Sequence, residues 1–305
     1  MREFQHRTVL LDATLQALQP RPGGRYIDGT LGGGGHAEGI LNACGPDGLV
    51  VGIDRDPNAL TAAGQRLAAF GDRFQPVRGR FGDVAQLASA WAPVDGLVLD
   101  LGVSSPQLDH ADRGFSFQHD GPVDMRMDPD GGESAAQLID RLDADALADI
   151  LYRFGEEPRS RRIARAIIAG RPWTSTLALA ECIARSSGYR GSRTHPATRS
   201  FQAIRIAVND ELGELERALE AALELLRPGG RMAVISFHSL EDRFVKQRFR
   251  ELAGRRTPRD EFGNPIEPPR GRLIHPRGIA GRDADPDNPR ARSARLRVLE
   301  TLPQP

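Results

Sequence analysis

The sequence predicts an α/β protein with a Rossmann-like, doubly wound parallel sheet that is interrupted by a small inserted helical domain. Three short apolar runs, at 26–28, 49–54 and 96–101, end in or near an aspartate, and segments of helical pattern separate them. Apolar runs that alternate with helices are typical of parallel strands buried on both faces. The pattern stops after the third run and resumes near residue 209, which indicates an insertion into the sheet domain.

The first elements follow from apolar spacing and turn residues. The spacing at 8–18 predicts a short amphipathic helix, which the Pro and Gly residues at 20–24 close before the first strand. Ligands of open α/β sheets bind beyond the carboxyl ends of the strands. We therefore expect Asp28, Asp54 and Asp100 at the ligand-binding edge.

The middle of the chain has a different composition. Residues 104–134 have few aliphatic side chains and many Asp, Gly and Pro, and are too long for an ordinary loop in a compact domain. Residues 135–187 predict several short helices, with Asp143 as the N-cap of a helix from Ala144 to Phe154. The sheet domain is then expected to continue with a helix through Asn209 and Glu211 to Leu226, a turn at 227–230, and strands at 231–236 and 294–299.

These features divide the chain into three parts. Residues 1–110 and 196–305 are expected to form the core, and residues 111–195 a helical insertion that recognises the substrate. A segment of about 255–287 is rich in Pro, Gly, Arg and Asp with little apolar content, and is expected to be mobile.

Composition limits the classes of partner and compartment. The chain has 41 Lys and Arg against 41 Asp and Glu among 305 residues, so a nucleic-acid partner must be met by a local patch. Cys44 and Cys182 have neither CxxC spacing nor a histidine companion, which argues against a zinc site and a disulfide framework. We expect no metal and no membrane span. Because Met1 to Gln5 is too polar for a signal peptide, we also expect a reducing, cytoplasmic location.

The glycine-rich loop at 29–35 predicts a small-ligand site. Its residues allow positive φ and close approach of the backbone, and the following helix presents free N–H groups. A carboxylate at Asp28 would repel the pyrophosphate of a dinucleotide, whereas it suits the ammonium and sulfonium of S-adenosylmethionine. The loop therefore favours a methyl donor over NAD.

Asp54 is predicted to accept the two hydroxyl hydrogens of a ribose from the end of the second strand. This role would serve NAD and S-adenosylmethionine equally. The alternative is an N-cap for the helix that starts near Pro57, which Asp56 can provide instead.

The segment from Asp100 to Gln107 resembles the loop of enzymes that methylate exocyclic amines of bases, with Ser105 and Pro106 in the place of their acceptor residues. The lone pair of a cytosine amine is delocalised into the ring, so acceptors must bind its hydrogens and favour a tetrahedral nitrogen. A hydroxyl and a rigid carbonyl before proline supply such acceptors. The alternative is a plain turn.

Longer strings extend the likeness over about His6 to Leu299. They are 99–109, 113–117, 120–122, 124–128, 195–199, 236–243 and 288–293. Together they resemble the RsmH (MraW) family of bacterial 16S ribosomal RNA (cytosine-N4) methyltransferases, and only 255–287 has no clear counterpart. The resemblance implies a class I S-adenosylmethionine-dependent fold, S-adenosylmethionine as cofactor, and methylation of one cytidine in the decoding region of 16S rRNA in the small ribosomal subunit.

The resemblance also implies the donor contacts. They fall on Gly34, Gly35, His36, Asp54, Phe81, Asp100 and Gln107. One departure is Gly33, where the family often has a polar or basic residue, so the contact at that position stays open.

The remaining assignments have alternatives. Arg199, Arg205 and Asn209 are expected along one side of a helix, where they bind RNA or form ordinary surface ion pairs. His238 either accepts the proton that the amine loses or makes a structural hydrogen bond to the backbone. The rival functions are another amine methyltransferase and a ribosome-assembly factor that binds donor and RNA, and the sequence leaves a homodimer open.

Overall fold

The computed structural model describes residues 7–188, 194–255, 260–263, 266 and 268–303. The chain forms two compact units. Unit 1 combines Met1–Gly102 with Gly213–Pro305, and unit 2 is Val103–Leu212. The sequence analysis expected an insertion at 111–195, whereas unit 2 spans Val103–Leu212.

Unit 1 is built on a sheet that has seven strands within the described residues. The strands are β1 (Arg25–Asp28), β2 (Leu49–Asp54), β3 (Phe74–Arg78), β4 (Val94–Asp100), β5 (Leu226–Ser236), β6 (Gly271–Ala280) and β7 (Arg295–Thr301). Their order is β3-β2-β1-β4-β5-β7-β6, and β7 runs antiparallel to both of its neighbours. Strands β1 to β5 are parallel, so their carboxyl ends meet at one edge.

Helices of both units are described in chain order. They are α1 (Leu11–Leu18), α2 (Gly35–Ala43), α3 (Pro57–Leu67), α4 (Val84–Ala88), α5 (Ser105–Asp109), α6 (Ala135–Arg141), α7 (Ala144–Gly155), α8 (Ser160–Ala169), α9 (Thr176–Ser187), α10 (Thr198–Asn209), α11 (Glu211–Leu225), α12 (Ser239–Leu252) and α13 (Gly281–Ala284). Among the residues that the structure describes, no helix is long and apolar enough to cross a membrane.

The sheet is buried on both faces because successive side chains of each strand alternate between them. Tyr26 and Val50 pack into a cluster with α1, α2 and α3, whereas Ile27 and Val51 belong to a second cluster with α4, α11 and α12. The prediction of a doubly covered parallel sheet is therefore confirmed.

The sequence identified the central strands and missed an edge strand. The predicted strand at 49–54 coincides with β2, and the run at 96–101 falls on β4. Strand β3 was not predicted, since Pro76 interrupts a short sequence that alternates polar and apolar residues. It pairs on one side only, and proline is tolerated on an edge strand because one row of its N–H groups faces away from the sheet.

The C-terminal region holds more regular structure than its composition indicated. Strand β6 and helix α13 lie inside the segment of about 255–287 that was expected to be mobile. The register of β6 against β7 breaks between Ile274 and Ile279, and this bulge interrupts the alternation that would mark a strand. The turn predicted at 227–230 is a similar register break within β5.

Unit 2 is helical and has its own core. Residues of α6 to α10 with Phe115 and Met125 form one apolar cluster, and Asp143 caps α7 as predicted by accepting the Ala146 N–H at 2.8 Å. Helix α10 belongs to this cluster, which moves the second boundary beyond residue 195. The helix expected through Asn209 and Glu211 is broken, because Asp210 takes a left-handed conformation with φ 50° between α10 and α11.

Candidate active site

The glycine-rich loop crosses the carboxyl edge of the sheet in unit 1. The Gly29 N–H donates to Val98 O on β4 and the Leu31 N–H to Ile53 O on β2, each at 3.0 Å. The loop enters α2 through Gly34, which has φ 76° and would place a Cβ 3.2 Å from the Cβ of Ala63. Glycine is required there by both conformation and space.

Gly35 and Gly33, on either side of Gly34, are constrained differently from Gly34 and from each other. A Cβ at Gly35 would collide with the hydroxyl of Thr8, so this position is fixed by packing beneath the loop. Gly33 has no atom within 4 Å of an added Cβ and no left-handed φ. The loop therefore has room for a side chain at position 33.

Three titratable side chains meet under the loop. Asp28 ends β1 with 1% exposure, His36 on α2 has 4%, and the Nε2 of His36 lies 3.6 Å from Asp100 Oδ2 at the end of β4. Thr30 organises the cluster, because its N–H donates to Asp28 Oδ1 at 3.2 Å and its Oγ1 accepts the Asp100 N–H at 2.6 Å. The acids that the sequence placed at this edge thus lie together, with His36 among them.

Burial and mutual charge perturb this cluster. Burial raises the pKa of Asp28 from 3.8 to about 6, against the opposing effects of His36 and the Thr30 N–H. Burial alone would lower the pKa of His36, but the carboxylates of Asp100 and Asp28 outweigh it and the pKa is raised. The titrations of Asp28 and His36 are therefore coupled to one another through their charges.

The cluster contains buried polar atoms that make no hydrogen bond within the described residues. Asp28 Oδ2, Asp100 Oδ1 and His36 Nε2 are buried and have no hydrogen-bond partner among the residues that the structure describes. Buried polar atoms without partners are rare in folded proteins and indicate an absent ligand or water. Two carboxylate oxygens fit the ammonium and sulfonium groups of S-adenosylmethionine.

Asp54 and Phe81 extend the same edge. Asp54 ends β2 and accepts N–H groups from Gly32 at 2.8 Å and Asp56 at 2.9 Å, and burial raises its pKa. Each carboxylate oxygen retains acceptor capacity for a hydroxyl. The alternative role as helix cap falls to Asp56, whose side chain accepts the Asn58 N–H at 3.0 Å. Phe81 follows β3 and packs half-buried against the second core cluster of unit 1.

A buried ion pair that the sequence did not reveal adjoins the segments that contain Asp54 and Phe81. Glu214 on α11 is fully buried and lies 3.1 Å from the Nη1 of Arg55 and 3.5 Å from that of Arg80. Arg55 directly follows Asp54, and Arg80 directly precedes Phe81. Burial of a carboxylate depends on which segments meet, so no local pattern marks Glu214.

The predicted amine-binding residues belong to unit 2. Ser105 and Pro106 form the first turn of α5, and Gln107 is buried with its Oε1 accepting the Ser104 N–H at 2.9 Å. Gln107 is thus a capping residue, and its predicted donor contact stays a prediction. The side chain of Ser105 lies outside what the structure describes.

Arg199, Arg205 and Asn209 lie on α10, as expected, but their environments differ. Arg199 is exposed, with its Nη1 3.3 Å from Glu156 O. Arg205 forms a two-pronged ion pair with Glu211 at 2.8 Å, which is the alternative considered for it. Asn209 is 4% exposed, donates to Met125 O and accepts from the Met127 N–H. The structure therefore gives Asn209 a structural role and leaves Arg199 as the accessible cation of the three.

His238 caps α12 in unit 1. Its Nδ1 accepts the Glu241 N–H at 3.3 Å, and its Nε2 lies 3.1 Å from Glu241 Oε1. The carboxylate of Glu241 also accepts the Phe237 N–H at 2.9 Å. The structural alternative for His238, a hydrogen bond to the backbone, is therefore present.

The sheet order with an antiparallel seventh strand, and the acids below a glycine loop, define a class I S-adenosylmethionine-dependent methyltransferase. Comparison with known families then gives the particular one: the chain belongs to the MraW methylase family, which matches residues 3–302. S-adenosylmethionine is its methyl donor. Among the described residues, no group of three or more His, Cys, Asp or Glu is placed to hold a metal ion.

Curated relatives match nearly the whole chain. Ribosomal RNA small subunit methyltransferase H of Trichlorobacter lovleyi is 51% identical over 312 residues, with 99% of this chain and 100% of that protein covered. The protein of the same name from Geobacter sulfurreducens is also 51% identical, with coverages of 98% and 99%. A solved rRNA methylase from Streptococcus thermophilus is similar with a TM-score of 0.41 and 12% identity, covering 96% of this chain and 94% of its own.

Proposed function

We propose that this protein transfers the methyl group of S-adenosylmethionine to the exocyclic N4 of one cytidine in the decoding region of 16S rRNA, acting in the cytoplasm on the small ribosomal subunit. The observation that carries the proposal is the Asp28, His36 and Asp100 cluster under the glycine loop, in a chain of the MraW methylase family. The names of the full-length relatives support the ribosomal substrate.

The donor site is assigned to unit 1. The backbone of Gly34 and Gly35 approaches the methionine end of the donor, and the cluster supplies counter-charge to its cationic groups. Asp54 accepts the ribose hydroxyls, and Phe81 lies near the adenine. When bound, S-adenosylmethionine supplies an electrophilic methyl group, and the residues of this chain orient it.

The amine is a weak nucleophile, so the protein must align it and accept its hydrogens. The carbonyl before Pro106 and the hydroxyl of Ser105 are the proposed acceptors, and they act by favouring a tetrahedral nitrogen without a covalent intermediate. Alignment with the sulfonium contributes up to about 7 to 11 kcal/mol to such a reaction. The target base must leave its stack to reach the donor.

Unit 2 is proposed to hold the rRNA, with Arg199 as its phosphate or base contact. Arg199 is exposed, and within the described residues its side chain bonds to one backbone carbonyl, a contact that a ligand can displace. Arg199→Gln is expected to weaken RNA binding without changing the affinity for the donor. Unaltered RNA affinity in filter binding would remove Arg199 from the interface.

The decisive experiment is methyl transfer from labelled S-adenosylmethionine to small subunits from a strain that lacks the modification, followed by nucleoside analysis and mapping. The expected product is N4-methylcytidine at a single position. Asp100→Asn provides a control in which the donor cluster loses a charge.

Other outcomes would separate the rival functions. Label in DNA or in another RNA would establish a different amine methyltransferase. Normal ribosome maturation with an inactive Asp100→Asn protein, but not without the protein, would favour an assembly factor. No transfer to subunits or free RNA, with donor binding intact, would refute the proposed acceptor.

A further inference from the structure

A groove between α12 and the bulge of β6 carries cations that the donor chemistry does not use. The groove is shallow and open to solvent, and both elements belong to unit 1. Phe249, Leu273 and Val298 form an apolar floor, and Lys246, Arg250 and His275 line it. Lys246 is the only lysine in the chain.

No residue that the structure describes pairs with the side chains of these three residues. Within the described residues, Lys246, Arg250 and His275 make no side-chain hydrogen bond or ion pair, although Lys246 and Arg250 are partly buried and lie one helical turn apart. Cations on a solvated helix face commonly pair with acids four residues away. The acid four residues before Lys246 is Asp242, and the positions three and four residues from Arg250 carry no acid.

The acids of α12 already form ion pairs with other residues. Asp242 forms a two-pronged pair with Arg297, the remaining cation of the groove, at 2.7 and 3.0 Å. Glu251 lies 3.3 Å from Arg248. The net charge that the groove presents is therefore positive, although the chain as a whole is neutral.

The backbone of the β6 bulge has an unusual conformation at His275. This residue takes φ 55°, a conformation that side chains other than glycine rarely adopt, and the strand register resumes only at Ile279. Left-handed conformations of non-glycine residues persist where the surrounding structure enforces them, and they cluster at ligand contacts. The bulge places an exposed imidazole opposite the two cations of α12.

We propose that this groove binds phosphate groups of the rRNA backbone, with Lys246 and Arg250 as the charged contacts and His275 as a hydrogen-bonding contact. The inference rests on the proposed function, because that function supplies a polyanion as substrate. Helix α12 starts just after β5 ends at the carboxyl edge, and Lys246 lies about 10 Å further along it at 1.5 Å per residue. A strand whose base enters the donor site can therefore continue along the groove.

The test is the salt dependence of binding between the protein and unmodified small subunits. Lys246→Gln with Arg250→Gln should lower the slope of log K against log salt by about 0.7 to 0.9 for each lost contact. At about 0.1 M salt this corresponds to a loss of about 5- to 8-fold for each contact, or about 25- to 60-fold for both. The affinity for S-adenosylmethionine and the unfolding midpoint should not change.

A matched control removes the same charge from other surfaces of unit 1. Arg25 is exposed at the amino end of β1, and Arg66 is exposed on α3. The double variant Arg25→Gln with Arg66→Gln should keep the wild-type slope. Equal losses in both double variants would overturn the inference, because they would reflect net charge alone.

A second variant tests the bulge. His275→Gly keeps a backbone conformation that glycine adopts freely and removes the ring, so RNA affinity should fall several-fold while the fold is retained. Wild-type affinity in all groove variants, with wild-type protein that still methylates subunits, would refute the groove and leave the proposed function standing. Failure of the wild-type protein to bind or methylate subunits would refute the function itself.

Discussion

Glu214→Gln tests whether the buried ion pair holds the segments that contain Asp54 and Phe81, the proposed donor contacts. The substitution preserves shape and removes the charge that faces Arg55, whose side chain is only 8% exposed. Breaking a buried pair by removing one partner costs about 3 to 5 kcal/mol, because the other charge stays buried without compensation. Arg80 is 48% exposed and can turn to water, so it adds little to this cost. We expect a loss of about 3 to 5 kcal/mol and a weaker affinity for S-adenosylmethionine.

The assay is urea unfolding with donor titration on the same variants. Trp91 lies in unit 1 and Trp173 in unit 2, and these are the two tryptophans of the chain. In a Trp173→Phe background the fluorescence therefore reports unit 1. Combining Glu214→Met with Arg55→Met replaces both charges by apolar groups and should recover most of the stability.

Glu300→Gln is the matched control. Glu300 pairs with Arg231 at 3.0 Å and with Arg272 on the same sheet, but its side chain is 12% exposed and those of the two arginines are 17% and 64% exposed. We expect a smaller loss of stability and no change in donor affinity. A Glu214→Gln protein within about 1 kcal/mol of wild type, or with unaltered donor affinity, would refute the positioning argument.

Further outcomes are expected for variants of Asp28, Gly34, Asn209 and His238. Donor affinity measured by calorimetry should rise as pH increases from 5 to 7, because Asp28, with its pKa raised to about 6, then ionises and faces a cationic ligand, and Asp28→Asn should flatten the profile. The same raised pKa affects the stability of the free protein. The contribution of Asp28 to stability is fully present below pH 3.8, and about 3 kcal/mol is lost as pH rises through about 6. Asp28→Asn should therefore stabilise the free protein at pH 8 and not at low pH. Gly34→Ala should cost about 1 to 2 kcal/mol in denaturant unfolding and weaken donor binding, whereas Gly33→Ala should change neither, and equal effects would refute the conformational argument. Asn209→Ala should destabilise unit 2 by about 1 to 3 kcal/mol because two backbone groups lose their partner, and a loss confined to RNA affinity would contradict its structural role. His238→Asn, which retains a capping acceptor, should keep the single-turnover rate if His238 only caps α12, whereas a rate loss with intact donor binding would identify a proton acceptor.

The predictions that succeeded depend on local patterns. The apolar run at 49–54 and the N-cap at Asp143 were located because periodicity and capping chemistry act over a few residues. The acids at the strand ends were expected together because parallel strands share one edge. The structure confirms this for Asp28 and Asp100.

The features that the sequence did not reveal depend on distant partners. Asn209 resembled a surface contact, yet its amide bridges the backbone of Met125 and Met127, more than 80 residues away. Glu214 lies near a helix start with no local pattern that marks it, and its contacts with Arg55 and Arg80 form only in the folded chain. The bulge in β6 interrupts its alternating pattern, so the sequence did not predict this strand, and its pairing with β7 identifies it.

By itself, the sequence determined the alternation of strands and helices, the glycine loop with its acids, and the family resemblance, because each is written in neighbouring residues. Only the tertiary structure decided which polar groups are buried together. Whether a carboxylate is solvated, paired or left with an unpartnered oxygen depends on segments that meet across the fold, and this is why Asp28 has a raised pKa and Glu214 forms an ion pair.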